Sequence, residues 1–226
     1  QMETVVSEFL GTISGEIAIG GSTIPGGYIL PQLIGGFKKK YPDVRIRVYV
    51  GDTEQIINDI SASKLDFGIV GAETDKNRIA QKAIIKDEMK LVVRSDHRWA
   101  FRTEVSLNEL AGEPFIVREQ GSGTLKSLVK KLVQAGAEID SFTVAAELGS
   151  TASVIQGIKS GIGISVLSPI AVSDELRTGS LKALAISGVD LTRHFYLISH
   201  MDRTPSPACR AFMDYLEKAS PIPAAS

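Results

Sequence analysis

Apolar residues along this chain recur at two spacings, every second position and every third or fourth, and the two patterns take turns. "GEIAIGGST" alternates Ile17 and Ile19 ahead of a glycine turn and predicts a short strand. In "PGGYILPQLIGGFKKKYP", Leu30, Leu33, Ile34 and Phe37 stand at helical spacing, and the helix is expected to stop before Pro42. Pro31 falls early in that segment, where a helix tolerates it. "VRIRVYV" sets Val44, Ile46, Val48 and Val50 against Arg45, Arg47 and Tyr49, the pattern of a half-buried strand. "DTEQIINDISASK" predicts a helix with Ile56, Ile57 and Ile60 inward and Asp52 or Thr53 as cap, and "LDFGIVGA" predicts the next strand. The order βαβαβ argues for a parallel sheet covered by helices.

The second half repeats the first. "FIVREQGSGT" and the helix behind it match the first strand, turn and helix. "FTVAAELGSTASVIQGIKSGIGISVLSP" matches "IRVYVGDTEQIINDISASKLDFGIVGA": Val154, Ile155 and Ile158 follow Thr151 as Ile56, Ile57 and Ile60 follow Thr53. The period is far too long for a solenoid and points to two similar α/β lobes. In open α/β sheets ligands sit beyond the carboxyl ends of the strands, where helices begin. Each lobe has two such loops, and all four carry hydroxyls: Ser22 and Thr23, Thr53, Ser122 and Thr124, Ser150 and Thr151. Four polar helix starts facing one cleft would make a neutral binding site for a small, polar, anionic molecule.

The turn Gly121-Ser122-Gly123-Thr124 is the most suggestive of these. Leu125, Leu128, Val129, Leu132 and Val133 fall on one helical face behind it, and Gly136 stands where a left-handed cap is expected. The helix therefore begins at or just after Gly123, with Ser122 or Thr124 as cap. A helix start presents free N–H groups and partial positive charge, which favour an anion. An ordinary capped helix after a tight turn is the plain alternative, since short glycine motifs are weak signals.

Composition narrows the classes. The 226 residues, 43% hydrophobic and 23% charged, describe a globular chain with a formal net charge of -1, so no basic field draws nucleic acid or anionic lipid. One cysteine, Cys209, excludes an internal disulfide and is expected to pack on the C-terminal helix. No apolar run approaches the ~18 residues of a membrane span, and "QMETVVSEFLGTISG" lacks the pattern of a signal peptide. Val5, Val6, Phe9 and Leu10 read as the end of an amphipathic helix. His97, His194 and His200 are not at metal-ligand spacing, Lys38–Lys40 complement a helix end, and Ser122 has no histidine partner in context. The expectation is no catalysis, no metal and no cofactor.

At this level of detail the chain resembles the effector-binding domain of LysR-type transcriptional regulators. "GEIAIGGSTIPGGYILPQLIGGFKKKYPDVRIRVYVGDTEQIINDISASKLDFGIVG" is similar to that domain's opening. "LVVRSDHRWA", "PFIVREQGSGT" and "ELGSTASVIQGIKSGIGISVLSP" are similar to its middle and second lobe. The likeness runs over residues 12–218. It implies a type II periplasmic-binding-protein fold of the α/β class, two lobes joined by two crossovers near residues 88–96 and 186–198, with a ligand cleft between them. Lobe I is then 13–92 plus 195–219, lobe II 93–194, residues 1–12 the remnant of a linker helix and 220–226 a tail. The family's N-terminal winged helix-turn-helix is not in the sequence, so DNA would be bound only through that missing part.

The resemblance also implies an effector pocket: Ser22 and Thr23 in the first lobe I loop, Thr53 in the second, Glu119, Gln120, Ser122, Gly123 and Thr124 in the lobe II loop, and Thr151 and Ala152 on the facing helix. Arg118 could add charge, but alternation along 115–118 turns it away from the cleft. The partners implied are a small anionic effector and a second copy of the chain, with a tetramer as the further state at full length. In such a homodimer, lobe I of one chain meets lobe II of the other through helix 28–40, strand 44–50 and helix 124–136. A cytoplasmic sensor is the leading reading. An extracytoplasmic solute-binding protein for a small oxyanion or carboxylate is the runner-up, and an enzyme on the same fold the third.

Overall fold

The computed structural model of the chain describes residues 13–218. The expected linker remnant at 1–12 and the tail at 220–226 lie outside the described residues. Strand β1 (Gly15–Ser22) runs directly into a helical segment that is π-helical over Pro25–Ile29 and continues as α1 (Leu30–Lys40). Next come β2 (Val44–Gly51), α2 (Thr53–Ser61), β3 (Phe67–Val70) and β4 (Ile79–Glu88). They are followed by β5 (Lys90–Arg94), β6 (Glu104–Val105), α3 (Leu107–Leu110) and β7 (Pro114–Arg118). Helix α4 (Gly123–Gln134), β8 (Thr143–Leu148), α5 (Thr151–Lys159) and β9 (Ser165–Leu167) continue the alternation. The chain ends through α6 (Ser173–Thr178), β10 (Leu181–Ile186), β11 (Thr192–His200) and α7 (Pro207–Lys218).

The described residues form two compact units, one of 13–85 and 195–218, the other Lys86–His194. The sequence reading put the first boundary after residue 92. Strand β5 moves it back, because Lys90–Arg94 pairs with β9 and β10 and is therefore part of the second unit's sheet.

In the first unit the strand order is β2-β1-β3-β11-β4, with β1 parallel to both neighbours and β11 antiparallel to β3. Ile17, Ile19, Leu30, Phe37, Ile60, Phe67 and Phe212 fill its core. Packing at the end of β1 leaves no room for a side chain, since a Cβ on Gly21 would stand 2.5 Å from the Gly26 Cα. Pro31 was expected in the first helical turn. The helix instead begins at Thr23, which puts Pro31 in its interior, where it lacks an N–H and crowds the carbonyl four residues back. The π turn, closed by the Leu30 N–H on the Pro25 carbonyl, widens the backbone just before it.

The second unit's strands run β6-β10-β5-β9, and β9 continues to the parallel pair β7-β8 through a Phe115–Ile164 bridge. Only β5 runs against the others, being antiparallel to both β9 and β10. Leu91, Trp99, Phe115, Leu128, Leu132, Phe142, Ile164 and Leu184 make this unit's core.

Candidate functional site

In the first unit, Ser22 ends β1 and Thr23 opens the helix that follows, with Ser22 buried and Thr23 half-buried. Thr53 is the first residue of α2, and the cap is Asp52, whose Oδ1 accepts the Gln55 N–H at 2.8 Å. That leaves the Thr53 hydroxyl without a role in capping. It is 1% exposed and its Oγ1 has no hydrogen-bond partner. A buried hydroxyl without a partner costs about 1–3 kcal/mol.

In the second unit, Ser122 caps α4, its Oγ accepting the Leu125 N–H at 3.4 Å. Gly136 takes the left-handed conformation, with φ 76°, just past the helix end. Ser150 caps α5 by accepting the Ser153 N–H at 3.0 Å. The hydroxyls of Ser122, Thr124 and Thr151 are all buried. Gly123 and Thr124 in α4, and Thr151 and Ala152 in α5, offer first-turn N–H groups that have no acceptor within their own helix. The side chains of Gln120 and Ala152 point to solvent, so Ala152 offers only its backbone.

What organises this second group is charge, and here the sequence reading needs correcting. Arg118 is not turned away: it is buried, and its Nη1 donates to the Thr151 Oγ1 at 2.8 Å. Alternation does set Arg118 on the face of β7 opposite Phe115. That face is also covered, because α5 lies there: a Cβ on Gly157 would stand 3.0 Å from the Ile116 side chain. Both sides of a largely parallel sheet are buried, so the second face is no route to solvent. Arg118 also donates from Nε and Nη2 to the two carboxylate oxygens of Glu119, at 2.7 and 2.6 Å.

A second cation that no sequence motif marks, Arg193, is also buried. Arg193, in β11, donates from Nη1 to the Thr124 Oγ1 at 3.2 Å and from Nε to the Asp87 Oδ2 at 2.8 Å. Asp87 accepts in addition from the Ser168 hydroxyl at 2.7 Å. Burial pulls the Arg193 pKa down, Asp87 opposes this, and the charge of Arg118 adds to the depression. The guanidinium groups therefore feel each other, and each carries its own carboxylate. Each of the two threonine hydroxyls at the helix starts accepts from a cation, so each is polarised to donate its own proton to an acceptor.

Burial, then the Asp66 charge, pushes the Cys209 thiol up to about 12, which makes it an inert packing residue. His97 stands 3.4 Å from Glu113 beside Trp99. Among the described residues, no group of three or more His, Cys, Asp or Glu could hold a metal ion, and no helix is long and apolar enough to cross a membrane.

The comparisons with known proteins agree with one another on the fold. The family model described as the LysR substrate binding domain matches residues 11–221. The HTH-type transcriptional regulator YeiE of Escherichia coli K12 is 30% identical over 207 residues, which are 92% of this chain and 69% of that protein. A phosphonates import ATP-binding protein PhnC of Anaeromyxobacter dehalogenans is 30% identical over 200 residues, 88% of this chain and 40% of that protein. Among solved structures, the regulatory domain of CcmR from Synechocystis PCC6803, in complex with 2-PG, superposes with a TM-score of 0.83 at 27% identity. It covers 92% of this chain and 100% of that one.

Proposed function

The chain belongs to the LysR substrate-binding-domain family, and from that premise we propose that it senses a small anionic metabolite on behalf of a regulator of transcription. The observation that carries the anion is the pair of buried guanidinium groups at the starts of α4 and α5, Arg193 on Thr124 and Arg118 on Thr151. A carboxylate or phosphate placed on Ser122, Thr124 and Thr151 receives hydroxyl protons, first-turn N–H groups and the field of two cations. The first unit, taken by itself, offers hydroxyls at Ser22, Thr23 and Thr53, and that of Thr53 is unpartnered. The bound 2-PG of the CcmR structure supports the same class of ligand.

An effector shifts a conformational equilibrium of the domain by no more than its difference in affinity between the two states. Transcription then responds through a separate DNA-binding part. The chain's formal net charge of -1 provides no overall basic field for DNA. We propose a homodimer as the working state. Tyr49 and Val50 on β2 and Val133 on α4, exposed by 46, 55 and 61%, lie on elements the resemblance assigns to that contact.

Calorimetry against a panel of phosphate, sulfur and carboxylate metabolites tests the site. Each charge-assisted bond contributes about 1.5–3 kcal/mol, so Thr124→Val and Thr23→Val should weaken the effector roughly ten- to hundredfold. Wild-type affinity in both variants would remove the site assignment and leave GSGT as a helix cap. Light scattering at micromolar concentration checks the dimer, and a monomeric mass would count against it.

A further inference from the structure

The Arg118 guanidinium already holds an anion. Its side chain is 2% exposed, and the adjacent residue, Glu119, takes both Nε and Nη2 in parallel, at 2.7 and 2.6 Å. This two-pronged fit is the one with which arginine receives a carboxylate, phosphate or sulfate ligand. The other carboxylate of the cluster behaves differently. Asp87 is 2% exposed and pinned between Arg193 and Ser168, so it cannot leave without stranding a buried charge. Glu119 is 22% exposed and sits where β7 opens into the glycine turn, with water within reach.

We infer that Glu119 is a built-in competitor for the effector, closing the Arg118 fork until an oxyanion takes its place. This rests on reading Arg118 and Thr151 as part of the effector's seat. The exchange swaps one anion for another, so the buried guanidinium is never without a counter-charge, and the carboxylate that leaves is hydrated at little cost. Neutral polar metabolites cannot make the swap. Glu119 therefore acts as a filter for ligands with two coplanar oxygens and a negative charge. It also sets the affinity, because a ligand that needs the open fork binds in proportion to the fraction of time the fork is open.

Inorganic phosphate is the probe. Titrated by calorimetry, it should bind Glu119→Gln roughly tenfold tighter than wild type or more, since the neutral amide competes only weakly for a charged donor. Glu119→Ala should do the same. Thermal unfolding followed at Trp99 confirms that both variants fold. If Glu119 only neutralises Arg118, both variants lose melting temperature and neither gains affinity, which overturns the inference. Weaker phosphate binding in Glu119→Gln overturns it too, by making Glu119 a ligand contact. Thr124→Val separates this result from the wider reading. If it weakens phosphate while Glu119→Gln gains nothing, the site stands and the competitor falls. If Glu119→Gln gains and Thr124→Val loses nothing, the competitor stands and the hydroxyl assignment falls.

Discussion

The two units carry matching loops at matching places, yet they equip them differently. In the first unit Thr53 opens a helix behind Asp52, fully buried, with a hydroxyl that touches no acceptor or donor. In the second unit Thr151 opens the corresponding helix behind Ser150, and its hydroxyl accepts from a buried arginine. The same local sequence logic has produced a neutral donor on one side and a cation-backed donor on the other. At these helix starts a buried cation backs the Thr151 hydroxyl of the second unit, and none backs the Thr53 hydroxyl of the first.

That contrast can be broken most forcefully at Arg193. Arg193→Met leaves Asp87 buried with only Ser168 for company, and breaking such a pair by removing one partner costs about 3–5 kcal/mol. The ion pair Lys82–Glu217 of the first unit is 60% and 45% exposed, so Lys82→Met should cost under about 1 kcal/mol. Spectroscopy separates the units, because the single tryptophan, Trp99, lies in the second and all five tyrosines lie in the first. Urea midpoints that fall equally in the two variants would erase the distinction.

The next effect is smaller and opposite in sign between the units. Thr124→Val removes an acceptor from a buried cation and should destabilise the second unit by about 1.5–3 kcal/mol. Thr53→Val exchanges an unpartnered buried hydroxyl for a methyl group. The protein alone should hold or gain stability, while effector binding weakens. A loss of stability in Thr53→Val, measured by denaturant titration, would mean that the hydroxyl is structurally engaged.

The smallest effect is acid sensitivity. The Glu109 carboxyl is lowered to about 2 by Arg102 and then by Ser106, and the Asp190 carboxyl to about 2 by Thr192 and then Lys131. A folded-state pKa below the ordinary 4.5 means that Glu109 stabilises fully above that pH and loses its contribution as pH falls toward 2. Both groups are exposed to solvent, so the change should be slight and confined to the Trp99 signal. Glu109→Gln should flatten the slope of stability between pH 4.5 and 2. An unchanged slope would show that the capping contact does not persist in solution.

Much of the second unit's chemistry could have been suspected from local pattern. Along "LTRHFYLIS", Arg193 alternates with His194 and shares the face of Phe195 and Leu197, all three buried. Along "IKDEM", Asp87 shares the face of Ile85 and Met89, and along "PFIVR", Arg118 shares the face of Ile116. A charged residue on the apolar face of a strand is the local sign of a buried ion pair or a buried cation. The caps were easier to read: Ser122, Gly136 and the choice between Asp52 and Thr53 each depend on neighbours within four positions.

The sequence by itself determined the two-lobed α/β plan, the family likeness and the helix starts with their hydroxyls, since periodicity, capping and turn chemistry act over a few residues. Tertiary structure alone decided which charges meet. Arg193 finds Asp87 across 106 positions and Thr124 across 69, and Arg118 reaches Thr151 across 33. Such contacts are set by strand order and by which face each helix covers. A buried charge takes the partner that the fold brings within hydrogen-bonding distance, however far away it lies in the chain.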